Sequence, residues 1–285
     1  MKKRYVLFAL VVAATAWPVT AAFSAPPSVC EGLDAEKQGL FARLLDTLHP
    51  YDCCDETISV CLTKQPVCPL AERLGKDVCR LVKLGKNQAE IEHAMLKRAQ
   101  SMTPLGKPAS FALDETMLAG DPAAPVTVVV YACTRCPFCK VAVPALYRLV
   151  AEGALKGKAK LYFRPFPLKD HVGSLEGGLA VEAAARMGKF WPYLLRVYER
   201  YDAFKPDLLA AWAAELGLDR SKFERLLAEP ATKESLGLSK QEGVRNKVTA
   251  TPTLFINGRK YVYEMATDVL KDVLDEEHGK LTNPR

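Results

Sequence analysis

The chain has 285 residues, 49% hydrophobic and 25% charged, a balance that suits a folded globular protein with room for one ordinary domain and something smaller. Its formal net charge is +6, and setting aside Lys2, Lys3 and Arg4 lowers the basic count from 39 to 36 against 33 acidic residues. So mild and dispersed an excess argues against a nucleic-acid-binding surface.

In chain order, residues 1–22 come first and read as an export signal. Lys2, Lys3 and Arg4 form the basic start, Tyr5 to Trp17 an apolar run, and Thr20-Ala21-Ala22 a small-residue cleavage region. The apolar run of about 13 residues is shorter than the ~20 that a spanning helix needs, and no later segment reads as transmembrane. Export implies the periplasm, an oxidising compartment where disulfides persist. All nine cysteines lie beyond the signal, and an odd number leaves at least one thiol free, paired with another molecule, or engaged in exchange.

Residues 23–101 read as a small all-α, cysteine-rich domain. Leu40, Phe41, Leu44, Leu45 and Leu48 recur at helical spacing. Leu70, Leu74, Val78, Leu81 and Val82 form a second stripe, and Ile91 and Met95 mark a third helix beyond Gly85. Cys30, Cys53, Cys54, Cys61, Cys68 and Cys79 are interspersed. Disulfide staples for an undersized core are the simplest use, with about 15 possible connectivities. A second redox relay comes next. A metal site is least favoured, because His49 and His93 match no standard zinc spacing. The apolar faces also offer a possible homodimer surface.

Residues 102–125 are rich in proline and glycine and read as a linker, with Phe111 to Ala119 a candidate edge strand. Residues 126–285 then follow an α/β pattern. Val126 to Tyr131 is a β-branched run suited to a buried strand. A helix is expected from Cys136 to about Glu152, and a second strand over Lys160–Phe166. A long helical stretch over Gly177–Lys247 breaks near Pro206, Gly217 and Pro230. A hairpin around Asn257-Gly258 and a closing helix over Ala266–Glu277 complete the chain.

The chemistry concentrates in "CTRCPFCK", residues 133–140. Cys136-Pro137-Phe138-Cys139 falls where a strand ends and a helix begins. The unpaired N–H groups and positive dipole end of that helix would stabilise a Cys136 thiolate and lower its pKa. Pro137 is tolerated in a first turn, and Cys139 one turn on is near enough to close a disulfide. A low-pKa thiolate is both an available nucleophile and a good leaving group, which suits thiol–disulfide exchange. A structural disulfide is the plainer alternative. A metal cluster would want a fourth cysteine where Val143 stands. Cys133 is either a free thiol under a loop, a partner for an N-terminal cysteine, or a third redox thiol that intercepts a mixed disulfide on Cys136. His171, after "RPFPLKD", is assigned no catalytic role. Far along the chain, Thr251-Pro252 precedes a hairpin strand and is a candidate cis bond.

The strand, the CPFC helix start, the long helical insert and the Thr-Pro before a hairpin and final helix together resemble the DsbA-like thiol:disulfide oxidoreductases. "RPFPL" at 164–168, "GKFWPYLLRVYE" at 188–199 and "VTATPTLFINGR" at 248–259 belong to the same resemblance. It implies a thioredoxin fold with a helical insertion, preceded here by the small all-α cysteine-rich domain. It also implies roles: Cys136 an exposed nucleophile, Cys139 a buried resolving thiol, Pro252 a cis proline packed on the pair, and Thr251 a backbone contact for an extended client. Pro137 and Phe138 are accessory. Phe138 stands where strong oxidants often carry histidine, and it cannot donate a hydrogen bond to a thiolate. Residues 53–102 more faintly resemble the CcmH-like modules of cytochrome c maturation.

The resulting expectation is an exported enzyme that exchanges disulfides with cysteine-containing secreted clients, as oxidase or isomerase. It needs no bound cofactor or metal, but it does need a membrane redox partner to restore its active state. A thiol reductase of cytochrome c maturation and a non-catalytic chaperone or assembly adaptor are the alternatives.

Overall fold

The computed structural model describes residues 29–103 and 106–283. The export signal read over residues 1–22 lies outside the described residues. Among the described residues no helix is long and apolar enough to cross a membrane.

The N-terminal unit holds α1 (Ala35–Thr47), α2 (Ile58–Cys61), α3 (Pro69–Lys83) and α4 (Gln88–Met102). Local chemistry sets their ends. Asp34 caps α1 by accepting the Lys37 N–H at 2.9 Å. Asn87 and Glu90 form a reciprocal capping box on α4. Gly85, at φ +75°, ends α3 in the left-handed region that glycine reaches without strain. Phe41, Leu44 and Leu45 of α1 and Leu70, Leu74, Val78, Leu81 and Val82 of α3 are buried, as their spacing requires. Three disulfides close the unit: Cys30–Cys79, Cys53–Cys68 and Cys54–Cys61. The cysteines act as staples, and none of the six is left to pair with Cys133.

The rest of the chain builds one sheet from β1 (Leu118–Gly120), β2 (Val126–Ala132), β3 (Ala159–Pro165), β4 (Thr253–Ile256) and β5 (Arg259–Tyr261), in the order β1-β3-β2-β4-β5. β2 and β3 are parallel; the other neighbours are antiparallel. Alternation along β2 divides the sheet's two faces. Val128, Val130 and Ala132 join the main core, while Val129 and Tyr131 join a second cluster with Tyr162, Phe166, Val248 and Phe255. β4 and β5 turn through Asn257 and Gly258, both at positive φ, as the Asn-Gly signal requires.

The helices are α5 (Cys139–Tyr147), α6 (Ser174–Arg186), α7 (Phe190–Glu199), α8 (Leu209–Glu215), α9 (Arg220–Ala228), α10 (Pro230–Arg245) and α11 (Thr267–Thr282). α6 to α10 form the insertion between β3 and β4. Two expected elements differ in detail. The helix expected from Cys136 to Glu152 is regular only from Cys139 to Tyr147 and continues as a wider π turn over Arg148–Glu152. Pro144, inside α5, lacks an N–H for the regular ladder. The edge strand sought over Phe111–Ala119 forms only at Leu118–Gly120, after a 3₁₀ turn at Glu115–Met117 that Asp114 caps.

The N-terminal helices dock directly on the sheet-bearing part. Arg98 of α4, 1% exposed, reaches Asp77 of α3 at 2.8 Å and Asp272 and Glu276 of α11 at 2.6 and 3.0 Å. Arg80 joins Asp77 to Glu264, and Tyr51 donates to Glu276 at 2.7 Å. Desolvating so many charges is tolerable only because each finds a partner. The apolar faces offered for a homodimer are buried inside the chain's own core.

Candidate active site

β2 delivers the chain to Cys133. The Cys136 N–H donates to the Cys133 carbonyl at 3.2 Å, closing a turn, and the Cys136 carbonyl accepts the Lys140 N–H at 3.2 Å. Cys136 therefore sits at the start of the first helical turn, with α5 regular from Cys139. The Thr251–Pro252 peptide is cis, and the Thr251 carbonyl lies 3.2 Å from Cys136 Sγ, placed to accept from the protonated thiol. Residues 115 positions apart in sequence thus meet at one sulfur.

The two motif cysteines are driven in opposite directions. The pKa of Cys136 is pushed down to about 5. A hydrogen bond from the Cys139 thiol is the largest cause, followed, against the opposing effect of burial, by hydrogen bonds from Thr251 and from the N–H groups of Cys139 and Phe138. The Thr251 hydroxyl is buried near the pair with no partner in hydrogen-bonding geometry among the described residues. Burial, reinforced by the hydrogen bond to Cys136, pushes Cys139 far above the ordinary thiol range. Cys136 is the available thiolate and Cys139 keeps its proton.

Cys136 is not exposed, contrary to the role implied for it: the residue is 1% exposed, whereas Phe138 is 73% exposed. The turn from Cys133 and the Thr251–Pro252 loop close over the sulfur, and the apolar ring of Phe138 takes the surface position beside it. Pro137 is also exposed.

Arg135 and Lys140, the cations that flank the CPFC motif, both face an aromatic ring. Both cations lie on the Tyr201 ring, at 4.1 and 4.2 Å, and Lys140 also pairs with Asp202.

Cys133 is a free, buried thiol, and burial raises its pKa. Its sulfur accepts the Arg135 N–H at 3.4 Å and lies 3.4 Å from His171 Nδ1. His171, left without a role above, is thus part of the site. Sequence also gave no warning of Tyr198, which donates to the Cys133 carbonyl at 3.3 Å, or of Tyr201, which donates to the Arg135 carbonyl at 2.9 Å. Gly177 of α6 passes so close to Thr134 that a Cβ there would lie 2.2 Å from its hydroxyl oxygen, so only glycine lets α6 support this turn. Among the described residues no group of three or more His, Cys, Asp or Glu side chains is arranged to hold a metal.

Comparison with known proteins bears on the family and the fold. The Thioredoxin_4 family model, described as thioredoxin, matches residues 112–276, more than half of the chain. Among solved structures, oxidised BdbD from Bacillus subtilis superposes with a TM-score of 0.51 at 22% identity, covering 61% of this chain and 99% of that one. Wolbachia pipientis alpha-DsbA1 gives 0.51 at 21% identity, over 61% and 95% of the two chains. The catalytic domain of Proteus mirabilis ScsC gives 0.51 at 15%, over 66% and 98%. At these identities the likeness is one of fold. Curated relatives include the Na(+)/H(+) antiporter NhaA 3 of Salinispora tropica, 32% identical over 149 residues, and NhaA of Herminiimonas arsenicoxydans, 42% identical over 81. The matches cover 52% and 28% of this chain but only 22% and 13% of those proteins, so this chain spans a small part of the relatives it matches.

Proposed function

The chain belongs to the Thioredoxin_4 (thioredoxin) family and has the DsbA-like fold, and on that footing we propose that it is an exported, periplasmic thiol:disulfide oxidoreductase that works through Cys136 and Cys139. The observation that carries this reading is the placement of Cys136 Sγ between the N–H groups that open α5, which lower its pKa, and the Thr251 carbonyl, 3.2 Å away at the cis Thr251–Pro252 bond.

In the oxidising direction a client thiolate attacks Cys136 Sγ of the Cys136–Cys139 disulfide, and Cys139 leaves, taking up the proton that its burial favours. A second client thiolate then attacks the client sulfur of the mixed disulfide, and Cys136 leaves as the stabilised thiolate. The client gains a disulfide, and the enzyme pair is reduced. Thr251 and Pro252 border the sulfur where an extended client segment would lie alongside the start of β4. A stabilised Cys136 thiolate favours the reduced pair, which makes the disulfide form an oxidant, although Phe138 withholds the help a polar side chain would give. Turnover then requires a membrane partner that reoxidises the pair. The clients are secreted proteins with cysteines.

Equilibration of the protein in glutathione buffers tests the direction. A reduction potential of about −120 to −180 mV is the expected oxidase or isomerase value, and one near about −270 mV would overturn it in favour of a reductase.

A further inference from the structure

We propose that Cys133 is a third redox-active thiol that exchanges with Cys136 from the turn preceding it, with His171 as its proton acceptor. The inference rests on the exchange chemistry proposed above and adds a second exit from the mixed disulfide.

The geometry is local and specific. The hydrogen bond from the Cys136 N–H to the Cys133 carbonyl, 3.2 Å, closes a four-residue turn. Such turns bring their end Cα atoms within about 7 Å, overlapping the roughly 4.4–6.8 Å that a disulfide spans. Cys136 therefore has a thiol one turn before it and another one helical turn after it.

The surroundings of Cys133 differ from those of a cysteine buried for packing alone. Its sulfur accepts the Arg135 N–H and lies 3.4 Å from His171 Nδ1, which accepts the S–H when the imidazole proton is on Nε2. The Lys240 ammonium, held over the Phe166 ring at 3.8 Å and donating to the Pro167 carbonyl, adds positive charge toward the same sulfur. The six N-terminal cysteines are closed in disulfides, so the thiols available to Cys133 are those of the CPFC pair.

The step balances within the site. With a client sulfur bound to Cys136, Cys133 gives its proton to His171 and its sulfur attacks Cys136 Sγ. The Cys136–client bond breaks, and the client leaves as a thiolate that takes the proton from His171. The client is reduced, and a Cys133–Cys136 disulfide remains. Attack by Cys139 on Cys136 then moves the bond to Cys136–Cys139 and frees Cys133.

The test uses the full chain carrying C139S, reduced, then exposed to oxidised glutathione, alkylated and weighed by mass spectrometry. The expected product is an internal Cys133–Cys136 disulfide without bound glutathione, located by peptide mapping. The C133S/C139S double variant should hold glutathione on Cys136 at least tenfold longer, and H171F in the C139S background should slow release about tenfold. Equal glutathione lifetimes in C139S and the double variant would overturn the role of Cys133. The unmodified chain, run alongside, should close Cys136–Cys139. Its failure to do so would instead overturn the exchange reading, and this inference with it.

Discussion

Two regions of this chain put the same side chain to opposite uses. In the N-terminal unit six cysteines are locked in three disulfides, whereas the loop from Cys133 to Cys139 keeps three thiols free. The immediate neighbours account for much of the contrast. Cys61 Sγ lies 3.3 Å from the Glu56 carbonyl and Cys68 Sγ 3.8 Å from the Asp52 carbonyl, oxygen atoms that would repel a thiolate. Cys136 also has a carbonyl beside it, that of Thr251 at 3.2 Å, but N–H groups and a thiol donor outweigh it and stabilise the anion. Carbonyl oxygens around a sulfur leave it poorly able to depart as an anion, and such disulfides persist. Donors around a sulfur make it a leaving group.

The sharpest way to break the contrast is at Cys136. C136S should reduce exchange with a model disulfide to the uncatalysed background and remove the thiolate's pH-dependent share of the reduced protein's stability. In the unmodified chain the exchange rate should stay flat at neutral pH and fall tenfold per unit below about pH 5, where Cys136 takes up its proton. Because the folded pKa lies below the ordinary value, the thiolate's contribution to stability is full at alkaline pH and is lost as pH falls through about 5. A rate that rose steadily to pH 8 would show that the donors do not act as described.

Next in size is Arg98. R98A should cost up to about 3–5 kcal/mol in denaturant unfolding, because Asp77 and Glu276 would lose their shared buried cation and keep only the more exposed Arg80 and Lys280. Removing the Cys30–Cys79 disulfide by C30A/C79A should cost about 2–4 kcal/mol in the same measurement. Exchange per folded molecule should not change, since that region supplies stability and not chemistry.

The smallest effect is tied to pH. Burial pushes the Glu182 carboxyl up to about 7, against the Ser235 hydroxyl that donates to it at 2.8 Å. A raised carboxyl pKa stabilises the fold below the unfolded value and loses that contribution as pH rises through about 7. Comparing unfolding at pH 5 and pH 8 should show a loss of up to ~3 kcal/mol. E182Q should flatten most of that difference, and an unchanged slope would reassign it to other groups.

What the sequence made legible, and what it did not, follows the range of each interaction. The CPFC helix start, the Asn-Gly hairpin and the stripes of α1 and α3 depend on residues a few positions apart, and their spacing shows directly. The start of α5 falls three residues after the expected one because the turn before it already makes one helical hydrogen bond, from Lys140 to Cys136. Arg98 looks like one more solvated cation on α4. Its partners Asp77, Asp272 and Glu276 are 21, 174 and 178 positions away, so no local pattern could mark it as buried. His171 carries no local mark for the same reason: only the fold of the loop after β3 brings it to a sulfur 38 positions earlier. The burial of Cys136 was hidden because the Thr251–Pro252 loop that covers it arrives 115 residues later.

The Arg98 network limits where this chain can be cut. Thioredoxin folds are often pictured as cassettes that can be cut out and joined to other proteins. Here the stretch that matches the family ends at residue 276 and begins at residue 112, so a fragment cut at those limits would lose Arg98 and stop α11 short of Thr282. Asp272 and Glu276 would keep their negative charge with nothing to answer it. α11 packs on β2 and α5, the elements that present the CPFC loop. In this chain the family-matching stretch and its stapled N-terminal companion share one buried charge network, so neither is complete when cut from the other.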